Sequence, residues 1–225
     1  MKVIAKLAVI LAALGLLSGC GWGPSTLNLS DKTSALTAAA PQPAQGTAIK
    51  IVSVDDARVF QVDPPSPDIP SLKSGAITDK AVTARAIGRK RHGTLGMALD
   101  NVFLEPGDTV NAHVAAALAD GFRQAGYRVL KSGDAGYDQA VPVSATILKY
   151  WSWQEFGFVA QLNCRAEVKL DTPLPGLAPA TTVMSQAKKD EAMTLDSAWL
   201  KINQLGLQAL SAKLAETLKA KAPGS

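Results

Sequence analysis

Over residues 158–170 apolar and polar side chains alternate: Ala160, Leu162, Cys164, Ala166, Val168 and Leu170 fall on one side, Gln161, Asn163, Arg165, Glu167 and Lys169 on the other. A period of two over this length predicts a strand with one buried and one wet face, as in an antiparallel sheet. Weaker alternation predicts further strands over 49–54, continued past a turn by 58–62, and over 81–89, 127–130, 141–153 and 181–187. Pro64, Pro65, Pro67 and Pro70 break regular structure between the first two. Two stretches carry a helical period instead. Val110, Val114, Leu118, Phe122 and Ala125 follow Asp108, a capping residue type, and stop at Gly126. Trp199, Ile202, Leu205, Leu210, Leu214 and Leu218 line one face of a second helix over 196–220. This order predicts an α+β fold, a twisted and mainly antiparallel sheet with two helices packed on one face.

The first 46 residues follow neither period. Residues 1–19 hold Lys2 and Lys6 and then an uncharged apolar run over 7–17, too short for the ~20 apolar residues of a membrane-spanning helix. A charged start before a short apolar core reads as an export signal. Leu17-Ser18-Gly19-Cys20 resembles the bacterial lipobox, in which a lipoprotein signal peptidase cuts before a cysteine carrying a diacylglyceryl thioether. The resemblance implies lipid attachment at Cys20, and two or more acyl chains there give stable anchoring. In enteric-type lipoproteins an aspartate after the cysteine retains the protein in the inner membrane. Gly21 stands in that place, which points to the outer membrane. Residues 20–46 are rich in Ser, Thr, Pro, Gln and Ala, and read as a flexible tether with an r.m.s. reach of roughly 25–30 Å. Residues 47–225 then form a single globular domain.

The order Val54-Asp55-Asp56-Ala57-Arg58, then Ile87-Gly88, then Gln124-Ala125-Gly126-Tyr127-Arg128-Val129 behind a lipobox resembles the YajG family of bacterial envelope lipoproteins. The match is best over about 49–130, and the later elements agree in order. The resemblance implies an envelope location and a general fold, and brings no catalytic residues with it.

Composition narrows the chemistry. Net charge is +4, of which Lys2 and Lys6 contribute two, so the remainder is too near neutral for a nucleic-acid binder. His92 and His113 are the only histidines and stand at no metal-ligand spacing, so neither metal nor cofactor is expected. Asp55 and Asp56 are adjacent and point to opposite faces of a strand, which suits a strand-end turn beside Arg58 better than paired catalytic carboxylates. Cys164, on the apolar side of its strand, reads as an inert core thiol.

Two features can mark a contact surface. Tyr150, Trp151, Trp153, Phe156 and Phe158 gather five aromatics within nine residues, with Gly157 as a turn. Neighbouring strand residues face opposite ways, so at least one aromatic is exposed unless a loop covers it. The alternative is that the group closes the end of the core. Arg85, Arg89, Lys90 and Arg91 form a basic run, either a solvated loop or a weaker patch facing anionic lipid. These features predict a non-enzymatic, lipid-anchored, periplasm-facing envelope protein with an accessory or assembly role. Its partners would be the membrane, through acylated Cys20, and an envelope protein. The rival is a carrier holding a small hydrophobic or lipid ligand between sheet and helices.

Overall fold

The alternating run over 158–170 lies near the far edge of an eight-stranded sheet in the computed structural model, which describes residues 24–30, 41–43, 45–92 and 97–220, with side chains for all of these but His92. The strands are β1 (Ser25–Leu27), β2 (Ala48–Asp56), β3 (Ala86–His92), β4 (Met97–Leu104), β5 (Arg128–Val129), β6 (Val141–Phe156), β7 (Ala160–Asp171) and β8 (Thr181–Glu191). The helices are a single turn α1 (Lys80–Thr83), then α2 (Val110–Gln124) and α3 (Asp196–Ala220).

β6 organises the sheet. Its first half runs parallel to β2, its second half touches β3 in parallel at Gly88 and Ser152, and its other edge pairs antiparallel with β7. β8 closes that side, while β5 and the β3–β4–β1 group close the other. Four of the seven pairings among the described strands are parallel, so the sheet is mixed, not mainly antiparallel. The reason is connectivity: α2 lies between β2 and β6 in the chain, and a helical crossover returns the chain in the same direction.

α2 and α3 pack on one face over a main core that includes Ile49, Leu118, Phe122, Ile147, Tyr150, Leu162, Val168, Trp199 and Leu210. Thr109, not Asp108, caps α2, its hydroxyl accepting the Ala112 N–H. At the other end Gly126 takes φ +92°, where Gly126 N–H reaches Arg123 O and Tyr127 N–H reaches Phe122 O. That is a Schellman closure, and the edge-on contact of Tyr127 with Phe122 supplies its hydrophobic pair.

Four expectations change. Residues 58–62 continue no strand and make a single bridge, between Gln61 and Ser71. The run over 81–89 begins as helix, since the Asp79 carboxylate accepts from Ala81 N and Val82 N and starts a turn before β3. β4 is a strand where no period announced one, because Asp100 and Asn101 interrupt its apolar run; buried Asn101 donates to Ser71 O. The segment over 20–46 is docked in part. Ser25–Leu27 pairs with β4, and Leu27 and Leu29 are buried in the main core. Their burial explains the docking, since alternate residues Ser25, Leu27 and Leu29 turn inward as a short edge strand.

Candidate functional site

A bulge decides the fate of the aromatic group. Along β6 Val143, Ala145 and Ile147 face the main core, and the register with β7 then slips by one residue at Leu148. One extra residue reverses every later side chain. Tyr150 and Ser152 therefore point into the main core, where the Tyr150 hydroxyl donates to Asn203 O and the Ser152 hydroxyl to Asn203 Oδ1. Trp151 and Trp153 point to the opposite face.

That face is covered. The proline-rich segment folds back over it, with Gln61 N–H on Pro70 O and Leu72 N–H on Gln61 O. Leu72, Ala86, Trp151 and Trp153 make a second core, with Phe60 edge-on to Trp151 and the Trp151 indole donating to Pro67 O. Tyr150, Trp151 and Trp153 are thus structural, which corrects the five-residue contact surface. Phe156 and Phe158 remain exposed, Phe158 completely.

The basic run is also divided. Arg85 donates to Leu104 O and Glu105 O; Arg89 is buried and reaches Val62 O; the Lys90 ammonium pairs with Asp196. Burial lowers the pKa of Arg89. Arg91 is half-buried. Alternation along β3 sends Lys90 to the opposite face from Arg89 and Arg91, so the four make no common patch. The dominant cation is Arg58, which the sequence placed only beside a turn. Its side chain is fully buried, forks onto both Asp56 oxygens, and donates to Thr83 O, Ala86 O and Tyr150 O. It ties β2, α1, β3 and β6 together, using the planar geometry that only arginine offers.

The remaining candidates lie as follows. Asp55 is exposed while Asp56 serves Arg58. His113 is buried with Nε2 2.6 Å from Asp108 Oδ2. The Cys164 thiol is buried against Gly206, and burial pushes its pKa up to about 11. Cys20 and the leading segment lie outside the described residues. Among the described residues no cluster of His, Cys, Asp or Glu is placed to hold a metal ion, and no helix is long and apolar enough to cross a membrane.

An arrangement that sequence reasoning missed surrounds the two exposed phenylalanines. Phe156 pairs with Ala160, Ala160 with Glu191, and His92 with Met97, while β3 runs parallel to β6 from Gly88 and Ser152. These pairings bring Met97, Phe156, Phe158, Val159, Met193 and Leu195, all exposed, to one end of the molecule. The first strand is tied to the residue next to this end: Ser25, level with Val102 in the sheet, donates its hydroxyl to Asp196, the first residue of α3, which also holds Lys90. Met97 opens β4, Phe156, Phe158 and Val159 sit at the β6–β7 hairpin and Met193 and Leu195 precede α3, so no period links them and only their tertiary meeting reveals the group.

No protein-family model and no curated protein matches the sequence. Among solved structures the chain is similar to a DUF330 protein from Xanthomonas campestris, with 8% identity and a TM-score of 0.45 over 86% of this chain and 91% of that one. It is also similar to a minor lipoprotein from Acinetobacter baumannii, with 11% identity and a TM-score of 0.33 over 48% and 81% of the two chains. A third is the dodecameric PelC of Paraburkholderia phytofirmans, with 13% identity and a TM-score of 0.30 over 76% and 94%. At these scores the likeness assigns neither family nor function, and the YajG resemblance stands on the residues quoted for it.

Proposed function

We propose that this chain is a non-enzymatic lipoprotein of the bacterial envelope, anchored through acylated Cys20 at the periplasmic face of the outer membrane. There it holds its exposed apolar end on the bilayer and offers the rest of its surface to an envelope partner. One observation carries the reading: β1 starts five residues after Cys20 and is pinned to Asp196 beside the apolar end. Five residues span at most ~17 Å, so an anchor at Cys20 brings this end to the membrane surface. Exposed apolar side chains suit that interface. The non-enzymatic part is supported by the state of two reactive groups, a thiol buried and held protonated and a histidine buried against Asp108. The outer-membrane part rests on Gly21.

The test uses the acylated full chain in lipid vesicles. Phe158→Cys creates the one accessible thiol, because Cys20 is alkylated and Cys164 is buried. A nitroxide attached there is expected to collide with oxygen, which concentrates in the bilayer, and to be shielded from an aqueous nickel chelate. Ready access of the chelate overturns the membrane-facing orientation. A mature N-terminus carrying an unmodified Cys20 overturns the anchor itself.

A further inference from the structure

At the other end of the sheet α2 overhangs β2 and β5, and a cleft of 720 Å³ opens between them and the turn after β5. Its size falls within the ~300–1,000 Å³ of small-molecule sites. Part of the lining is apolar, Ala115, Ala116 and Ala119 from α2 with Ile51, Val129 and Leu130. The alanines leave the space that a larger residue of α2 would fill. Gln42 seals one wall by exchanging side-chain hydrogen bonds with both backbone groups of Val129.

Arg123 lines this cleft. It is nine-tenths buried, its Nε and Nη2 have no hydrogen-bond partner, and among the described residues it has no carboxylate partner. The acidic residue of the lining, Asp134, accepts the Lys131 N–H at 2.7 Å, and Lys131 itself lines the cleft. A position in the last turn of α2 favours a cation, but none of the carbonyls at the helix end accepts from its buried Nε and Nη2. Such a group is costly where nothing supplies those acceptors.

We propose that the cleft binds an anionic amphiphile, whose carboxylate or phosphate head accepts hydrogen bonds from Arg123 and whose hydrocarbon chain lies along the alanine face of α2. The site differs from the sheet–helix interior that the carrier reading named, which the main core fills. It is independent of Cys20 and of the apolar end, so its failure leaves the proposed anchoring untouched.

The test uses the acylated full chain in phosphatidylcholine nanodiscs with three photoactivatable diazirine probes of equal chain length: a dodecanoate, a dodecyl phosphate and a dodecanol. One or both anionic probes are expected to label peptides spanning 115–130, and the head that labels identifies the source as a fatty acid or a phosphate-bearing lipid. Arg123→Gln is expected to cut that labelling about tenfold or more, the range of a lost charge-assisted hydrogen bond. Its melting temperature should match or exceed that of the unsubstituted chain, since a buried unpaired charge is gone. Ala119→Phe, which keeps the cation and fills the cleft, should abolish labelling. Labelling by dodecanol equal to that by the anions, anionic labelling unchanged in Arg123→Gln, or none by any probe overturns the proposal.

Discussion

A single missing side chain governs how α3 sits on the sheet. A Cβ built on Gly206 would lie 2.4 Å from the Cys164 Sγ and 3.0 Å from its Cβ, both fully buried in β7. Gly206→Ala gains ~1 kcal/mol of helix propensity but must overpack the core, at ~1–3 kcal/mol. Overpacking wins, so Gly206→Ala should lower the urea midpoint, and the double variant with Cys164→Ala should recover much of the loss; a double variant no better than the single places the clash elsewhere. The same thiol gives stability an alkaline limit. Burial holds it at about 11 against an ordinary 9.0, and burial also raises the Tyr150 phenol well above 10.0. Between pH 9 and 11 the unfolded thiol has lost its proton while the folded one keeps it, so the folded state binds more protons and stability falls as pH rises. Urea midpoints at pH 8 and pH 10.5 should show this decline, with a smaller slope in Cys164→Ala. An equal slope in both removes Cys164 as a source.

At the scale of elements, β1 is the least obvious and the most consequential. Only three residues pair with β4, too few to hold by hydrogen bonds alone, so Leu27 and Leu29 must supply the docking. Leu29→Ala should cost ~2–5 kcal/mol if the site cannot collapse. Amide exchange should then accelerate over 25–27 in that variant while β7 keeps its protection. Rapid exchange there in the unsubstituted chain would return the segment to a tether. That segment shows what local pattern conveys. β7 and α3 were legible because their periods persist over 12 and 25 residues. β1 has only three residues and polar residues interrupt β4, so neither period nor propensity rises above background. Parallel pairing was hidden because it depends on the crossover through α2. The candidate site was half legible: the aromatic count located the β6–β7 hairpin, but the bulge at Leu148 turned Trp151 and Trp153 towards a proline-rich cover whose position no local signal encodes.

The whole molecule is polar in the geometric sense: the apolar end lies where β6 finishes, with the start of β1 level with Ser152 a few residues short of it, and the Arg123 cleft lies where β6 begins. On a membrane anchored at Cys20, two things can hold the apolar end down, the short tether or its own side chains. Their magnitudes separate them. Six side chains buried by about half contribute on the order of 1 kcal/mol each. Inserting 20 Gly/Ser residues between Cys20 and Ser25 gives an r.m.s. reach of ~25–30 Å and lowers the effective concentration about tenfold, worth ~1.4 kcal/mol. The side chains should therefore win. With a nitroxide on Val159→Cys, the linker insertion alone should leave the reporter shielded from an aqueous nickel chelate. Replacing Met97, Phe156, Phe158, Met193 and Leu195 with serine on the native tether should expose it, at little cost to the melting temperature because none of the five belongs to a core. Exposure on lengthening the linker alone would mean that the anchor's proximity, and not the apolar side chains, orients the domain.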